Sequence, residues 1–373
     1  MTMRPNVNFQ GRLQRGLTLI EMMVAMVLAL LLTAAVLQVY LLNKTTFTAQ
    51  QQSGIVQESG NFALEYLTRD ARMAGLAGCS SRRSGTQPLP VHNYLNSTAY
   101  PFDLIGHGIS GFESTGTGVG ATYNITATNP APGGGWTPAL PTGANALDGK
   151  ALPGSDVLVV SGISPDDIPL VAPFTSGSQI FVDDVRDITN GEILVVTNCQ
   201  QAEVFQATNV VSASNNIVGS SAGSYTPGNA ENIASTGPEG PFTEGTRVSR
   251  LRSYAYYVGR GTDGTPSLYR ASLRGGAMED QELVPGVDSM QIVYGVDGNE
   301  DYIVDDYRDA SAVTDWQQVR AIRVSLLMRS PEEFLDGMDT ATYNLAGTTI
   351  NPVDDRRQRR VFSSTIALRN RLL

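Results

Sequence analysis

Arg15-Gly16-Leu17-Thr18-Leu19-Ile20-Glu21, followed by the apolar run of residues 22–42, places one carboxylate at the head of what otherwise reads as a membrane helix. No residue between Glu21 and Lys44 carries a formal charge. At about 1.5 Å per residue this stretch is long enough to cross a hydrocarbon core of about 30 Å, so residues 17–42 are predicted to span a membrane. An ionised side chain in such a helix is costly to insert and is usually kept for a partner or a function. The plainer alternative is that Glu21 lies close enough to the helix start to snorkel to the headgroups.

The residues ahead of the run argue for a function. A secretory signal places its small-residue cleavage site after the apolar region, which is then lost. Here Arg4, Arg12 and Arg15 lead to Gly16 and the apolar helix follows, so a cut after Gly16 keeps the helix in the mature chain. The arginines also put that end in the cytoplasm by the positive-inside rule, with the rest of the chain beyond the inner membrane.

GLTLIEMMVAMVLALLL, with its basic leader, resembles the class III signal of type IV prepilins and type II secretion pseudopilins. The resemblance implies that a membrane-embedded prepilin peptidase cleaves after Gly16 and methylates the new amino terminus at Leu17. Glu21 becomes the fifth residue of the product. It then pairs with the amino terminus of a neighbouring subunit, fixing axial register and leaving no uncompensated charge in the filament core. Leu17 stands where major pilins usually have phenylalanine, which points toward a minor component.

Composition bounds the remainder. Apolar residues make up 41% of the 373, enough for a real core, while charged residues at 17% fall below the roughly 25% of an average soluble domain. The 38 glycines predict long surface loops. A formal net charge of −10 argues against nucleic acid as the principal ligand.

Beyond the membrane the helical pattern continues to about Ala74, where Gly75 and Gly78 supply a stop. Ile55, Phe62, Tyr66 and Met73, with Val56, Ala63 and Leu67 beside them, form a stripe that can pack on a domain. Gly54 and Gly60 mark a section able to bend, or are tolerated in a well-packed helix. Short strands follow at residues 156–161, 179–182, 192–197 and 204–206, then at 252–258, 267–272, 290–294, 320–328 and 360–368. Residues 106–154 and 212–245, rich in Gly, Ser, Thr, Asn and Pro, read as extended insertions, and 82–154 carries no recognisable pattern.

The ordered blocks YAYYVGR, LYRASLRGG, ELVPGVDSMQIVYGVD, WQQVRAIRVSLLMRS and RRVFSSTIALRNR are similar to minor pilins of the PilW type. That resemblance implies an α+β, type IV pilin-like fold: a long amino-terminal helix packed on an antiparallel β-sheet head with loop insertions. The expected organisation is a cytoplasmic leader at 1–16, the pilin helix at 17–76 and a β-rich head at 77–373.

Several residues are candidate sites. Cys79 and Cys199 are the only cysteines, and in an oxidising compartment a bridge is favoured over two unrelated buried thiols. Asp297, Asn299, Asp301 and Asp305, with the Ile303 carbonyl, have the alternating oxygen spacing of a Ca²⁺ loop. The loop lacks the glycine of a complete EF-hand, since Tyr302 stands there, and a solvated acidic turn is the alternative. His92 and His107 fall in loops with no evident partner, and the tract Gly116, Gly118 and Gly120 has the wrong context for phosphate. Arg356, Arg357, Arg359 and Arg360 read as a solvated lead into a strand, paired with Asp354 and Asp355. No nucleophile, Walker or dinucleotide motif is present, so no enzyme and no required cofactor are expected.

Taken with the resemblance, these features describe a minor pilin that primes a type IV pilus near its tip. Its expected partners are other minor pilins, the major pilin, the prepilin peptidase and a tip adhesin. The competing readings are a type II secretion pseudopilin of the GspJ type and, of another class, an adhesin or DNA-uptake binding module.

Overall fold

Helix α1 (Leu19–Arg72) is the first element of the computed structural model. That structure describes residues 16, 18–78, 90–97, 99–102, 108–171, 178–198, 200–234, 236–237, 240–242 and 245–371. Compact units divide inside this helix, at residues 1–51 and 52–373.

In the first unit the helix exposes its large apolar side chains all round, from Leu19 through Leu42. The Thr33 hydroxyl donates to the Ala29 carbonyl at 2.7 Å, so its polar hydrogen is satisfied within the helix.

In the second unit the helix buries Val56, Gly60, Ala63, Leu67 and Ala71, at spacings of four, three, four and four. Of the expected stripe, Val56, Ala63 and Leu67 face the sheet, whereas Phe62 and Met73 are exposed and Ile55 and Tyr66 half-buried. The reason is close approach. A Cβ on Gly60 would lie 2.5 Å from the Phe362 ring, so this glycine admits an aromatic side chain and does not serve as a hinge. Fully burying Leu67 in that seam contributes about 1.5–3 kcal/mol. Polar residues pin the ends of this section. Gln52 Oε1 accepts from the Glu332 amide at 3.3 Å, and the buried Asp70 accepts from the Tyr256 hydroxyl at 2.5 Å and from Arg270 at 3.4 Å. The helix stops at Arg72, and Gly75, at φ +72°, donates its N–H to Ser161.

The larger sheet holds β1 (Val91–Asn93), β2 (Ile109–Ser114), β3 (Val157–Ile163), β4 (Ile193–Thr197), β5 (Ala202–Gln206), β6 (Arg247–Arg260), β7 (Pro266–Arg274) and β8 (Ala277–Pro285). Its path runs β1-β5-β4-β6-β3-β2, with β7 and β8 continuing from the far half of β6. The long β6 makes this possible: residues 247–250 pair with β4 and residues 254–260 pair with β7.

The second sheet is antiparallel in the order β10 (Asp306–Arg308), β9 (Val287–Val296), β11 (Val319–Arg329), β12 (Arg359–Ala367). Met290, Ile292, Val324, Leu326, Phe362 and Ile366 from this sheet share one core with Val56, Ala63 and Leu67 of the helix. The α+β architecture expected from the sequence, a long amino-terminal helix packed on a sheet with insertions, is what the structure shows.

The insertions are more integrated than their composition suggested. Residues 106–154 contain β2, whose glycine is obligatory, because a Cβ on Gly111 would overlap the Tyr294 hydroxyl at 1.9 Å. They also supply Thr122–Asn124, which joins Tyr343–Leu345 and Thr348–Asn351 in a ribbon over the outer face of β11. In the second insertion Ile217, Ile233 and Phe242 are buried in a core of their own with Tyr94, Leu194 and Phe205.

Candidate assembly site

The helix start is set by Thr18 and Glu21, three residues apart. The Thr18 N–H and hydroxyl each donate to Glu21 Oε2 at 2.9 Å, and the Glu21 N–H donates back to the Thr18 hydroxyl at 3.3 Å. This is a reciprocal capping box, which satisfies amides that a helix end otherwise leaves without acceptors. The Thr-x-x-Glu signal for it stands in the sequence, and Thr18 is a functional residue that attention to Glu21 alone overlooks. The carboxylate also favours the positive end of the helix dipole.

Gly16 is described and exposed, and nothing approaches within 4 Å of where its Cβ would be. Leu17 and the leader arginines lie outside the described residues. Beyond the cap, Met22, Leu30, Leu31, Leu32 and Val36 remain exposed, so the surface around Glu21 is apolar on every side.

The acidic loop is organised without a metal. Asp301 N–H donates to Asp297 Oδ1 at 3.1 Å and to Asn299 Oδ1 at 3.0 Å, Ile303 N–H to Asp301 Oδ1 at 2.8 Å, and Gly298 N–H to Asp305 Oδ2 at 2.8 Å. The side-chain oxygens proposed as ligands thus accept the loop's own amides. Asp297 is also buried against Arg320, whose Nε donates to Oδ2 at 2.8 Å, and Arg320 lies over the Tyr302 ring at 5.2 Å. A fixed guanidinium stands where a divalent cation would need the carboxylate. Among the described residues no three His, Cys, Asp or Glu side chains converge as a metal site. The Ca²⁺ reading of Asp297, Asn299, Asp301, Ile303 and Asp305 is accordingly unsupported.

The arginine run is corrected more sharply. Arg359 is buried, with Nε on Asp288 at 2.8 Å, a forked contact to both Asp355 oxygens at 2.7 and 2.9 Å, and Asp339 at 3.4 Å. Arg329 reaches Asp288 at 3.2 Å from the neighbouring strand and binds Asn129 at 2.8 Å. Only Arg356 and Arg360 of the run are exposed. The cluster is a structural knot tying the 331–358 segment to β9, β11 and β12, not a solvated face. The expected pairing with Asp355 is present, and what the sequence hides is Asp288 and Asp339, which are distant along the chain.

Cys79, Cys199 and His107 lie outside the described residues. The flanks of the two cysteines meet: the Thr197 hydroxyl lies 3.3 Å from the Ala77 carbonyl and 2.9 Å from that of Gln201. His92 lies in β1, with its ring 4.3 Å from that of Tyr94 and Nε2 3.4 Å from Glu231, an arrangement with no nucleophile or metal ligand set. Gly116 and Gly120 both adopt positive φ in turns of the loop after β2.

Comparison with known proteins bears on both ends of the chain. Residues 255–370 match the family described as Type IV Pilus-assembly protein W, and residues 11–37 match the Prokaryotic N-terminal methylation motif. A solved type IV-like pilin from Thermus thermophilus is similar at 15% identity, over 33% of this chain and 70% of that one, with a TM-score of 0.23. No curated protein sequence matches the chain. The methylation motif and the long, exposed apolar helix, the one such helix among the described residues, give a single-pass topology in the inner membrane with the carboxy-terminal head on the periplasmic side.

Proposed function

We propose that this chain is a minor pilin of the PilW type acting in type IV pilus assembly, a reading supported by the family match of its carboxy-terminal residues and by its methylation motif. The finer reading is that it primes the filament together with other minor pilins and stays near the tip. The observation that carries this reading is Glu21, the one carboxylate of an otherwise uncharged apolar helix surface, set five residues past Gly16. A prepilin peptidase cutting there leaves an α-amine on Leu17. A cation on a neighbouring subunit is the partner a carboxylate needs at membrane depth. Gly16 is then the cleavage site and Leu17 the methylated residue. Helix packing supplies adhesion between subunits, and the head selects which subunits stand beside it.

The role is mechanical and no catalytic step is assigned to it. The PilW domain favours the pilus over a type II secretion pseudopilin. Removing the chain from piliated cells tests the priming role, because initiation and elongation leave different traces. Fewer filaments of ordinary length are expected by electron microscopy. Ordinary numbers of shortened filaments would contradict priming.

A further inference from the structure

Two buried carboxylates meet where the sheets join, and no cation accompanies them. Asp156, just before β3, accepts from the Ser114 amide at 3.1 Å through Oδ1 and from the Ile292 amide at 2.8 Å through Oδ2. Its own N–H donates to the Met290 carbonyl at 2.8 Å. It therefore links β2 and the start of β3 to β9, between the larger sheet and the second one. Nearby, Ser289 and Gln291 of β9 donate to the Gly154 carbonyl at 2.8 and 2.9 Å, so the whole 154–156 segment is clasped.

Glu113, in β2, faces the same point. Thr117 Oγ1 lies 2.8 Å from Glu113 Oε1, 2.8 Å from the Ser114 carbonyl and 3.5 Å from Asp156 Oδ1. One hydroxyl carries one hydrogen, so it cannot donate to all three oxygens. A proton on Glu113 resolves the shortage: Glu113 donates to Thr117, and Thr117 donates to Ser114. Among the described residues, Glu113 Oε2 and the Tyr294 hydroxyl are buried without hydrogen-bond partners at this junction. A third carboxylate, Asp309, caps the short helix Ala310–Ala312 and accepts from the Val119 amide at 3.4 Å, adding negative charge. Among the described residues neither Glu113 nor Asp156 has an ion pair with Arg, Lys or His.

We propose that Glu113 and Asp156 form a proton-holding clasp, which locks the β2 turn and the 154–156 segment onto β9 while a proton is shared and loosens that junction when the proton leaves. Burial, with Asp309 adding to it, pushes Glu113 up to about 7. Burial and then the Glu113 charge raise Asp156 well above the ordinary range. Between the ordinary value of 4.5 and about 7, the folded chain thus holds a proton that the unfolded chain has released. Stability contributed by this site is full below that window, falls as pH rises through it, and is absent above it. A periplasmic head meets such pH changes without cytoplasmic buffering. The clasp is independent of the pilus reading.

Hydrogen exchange of the full chain in detergent, read by mass spectrometry and corrected for intrinsic pH effects, tests it. Amides 113–121 and 289–292 are expected to exchange more than about tenfold faster at pH 8 than at pH 5.5. In Glu113→Gln that difference is expected to vanish. Glu203, another buried carboxylate pushed up to about 7, serves as the control, and Glu203→Gln should leave the junction response intact. Infrared spectra of the Glu203→Gln chain, in which the other such carboxyl is removed, give a second reading: a protonated-carboxyl band present at pH 5.5 and lost by pH 8. Junction exchange indifferent to pH, a response that persists in Glu113→Gln, or no such band at pH 5.5 would overturn the clasp.

Discussion

Glu21→Ala is expected to leave the chain cleaved, methylated and inserted, yet to lower its incorporation into filaments on the order of a hundredfold, read by immunoblot of sheared pili against membranes. The size follows from charge. Opposite charges about 4 Å apart in a poorly screened environment attract strongly enough to offset the cost of keeping a carboxylate at membrane depth, and alanine discards that attraction. Glu21→Gln separates this role from helix capping. An amide oxygen can still accept from the Thr18 N–H and hydroxyl, both now 2.9 Å from Oε2, but it carries no charge to meet a neighbour's amine. If the charge matters, glutamine fails as badly as alanine. Recovery of incorporation by glutamine would assign Glu21 to the cap alone.

Arg359→Met is expected to cost the head about 3–5 kcal/mol, because it strands Asp288 and Asp355 without their main counter-charge. That is a large share of the roughly 5–15 kcal/mol that holds a domain folded. Arg359→Lys should recover part of the loss, since an ammonium keeps the charge but cannot bind Asp288 through Nε while forking onto both Asp355 oxygens. Urea unfolding followed by tryptophan fluorescence gives the measurement. The midpoint should drop with little change in slope, in the order wild type, lysine, methionine. A methionine variant within about 1 kcal/mol of wild type would mean that the buried aspartates find protons or water instead.

These predictions draw on features of unequal legibility. The spanning helix and the Gly16–Glu21 spacing could be read directly, since one charge in an apolar run has few explanations. The strands around 290–294, 320–328 and 360–368 were legible because their side chains alternate or their apolar runs are dense; β9 and β11 extend the first two, and β12 is the third shifted by one residue. The helix stripe was half legible: Val56, Ala63 and Leu67 are buried as expected, whereas Phe62 and Met73 are exposed. Gly60 and Ala71, which also meet the sheet, serve close approach and carry little hydrophobic area to signal them. Strand β2 was lost in a glycine- and serine-rich stretch. Its Gly111 is there to admit the Tyr294 hydroxyl, a demand set from more than 180 residues away. Strand β8 was missed because an edge strand carrying Glu279, Asp280 and Glu282 lacks the apolar face by which strands are recognised.

The site divides in the same way. Glu21 was evident from local contrast, and Thr18 was available through the Thr-x-x-Glu spacing. The Arg359–Asp355 pair was within reach of the sequence, but the rest of that knot and the Glu113–Asp156 clasp were not, because they are assembled from residues that only the fold brings together. The acidic loop shows the opposite failure. Its spacing suggested a Ca²⁺ site, while the decisive residue, Arg320, sits on another strand and supplies the positive charge itself.

The account turns on the chemical identity of the amino terminus. Mass spectrometry of the amino-terminal peptide, taken from chain isolated from pili and inner membranes, reads it directly. The account predicts a peptide beginning at Leu17 and carrying a methyl group on its α-nitrogen. A functional chain that still begins at Met1, or that keeps Arg15 and Gly16, would contradict it.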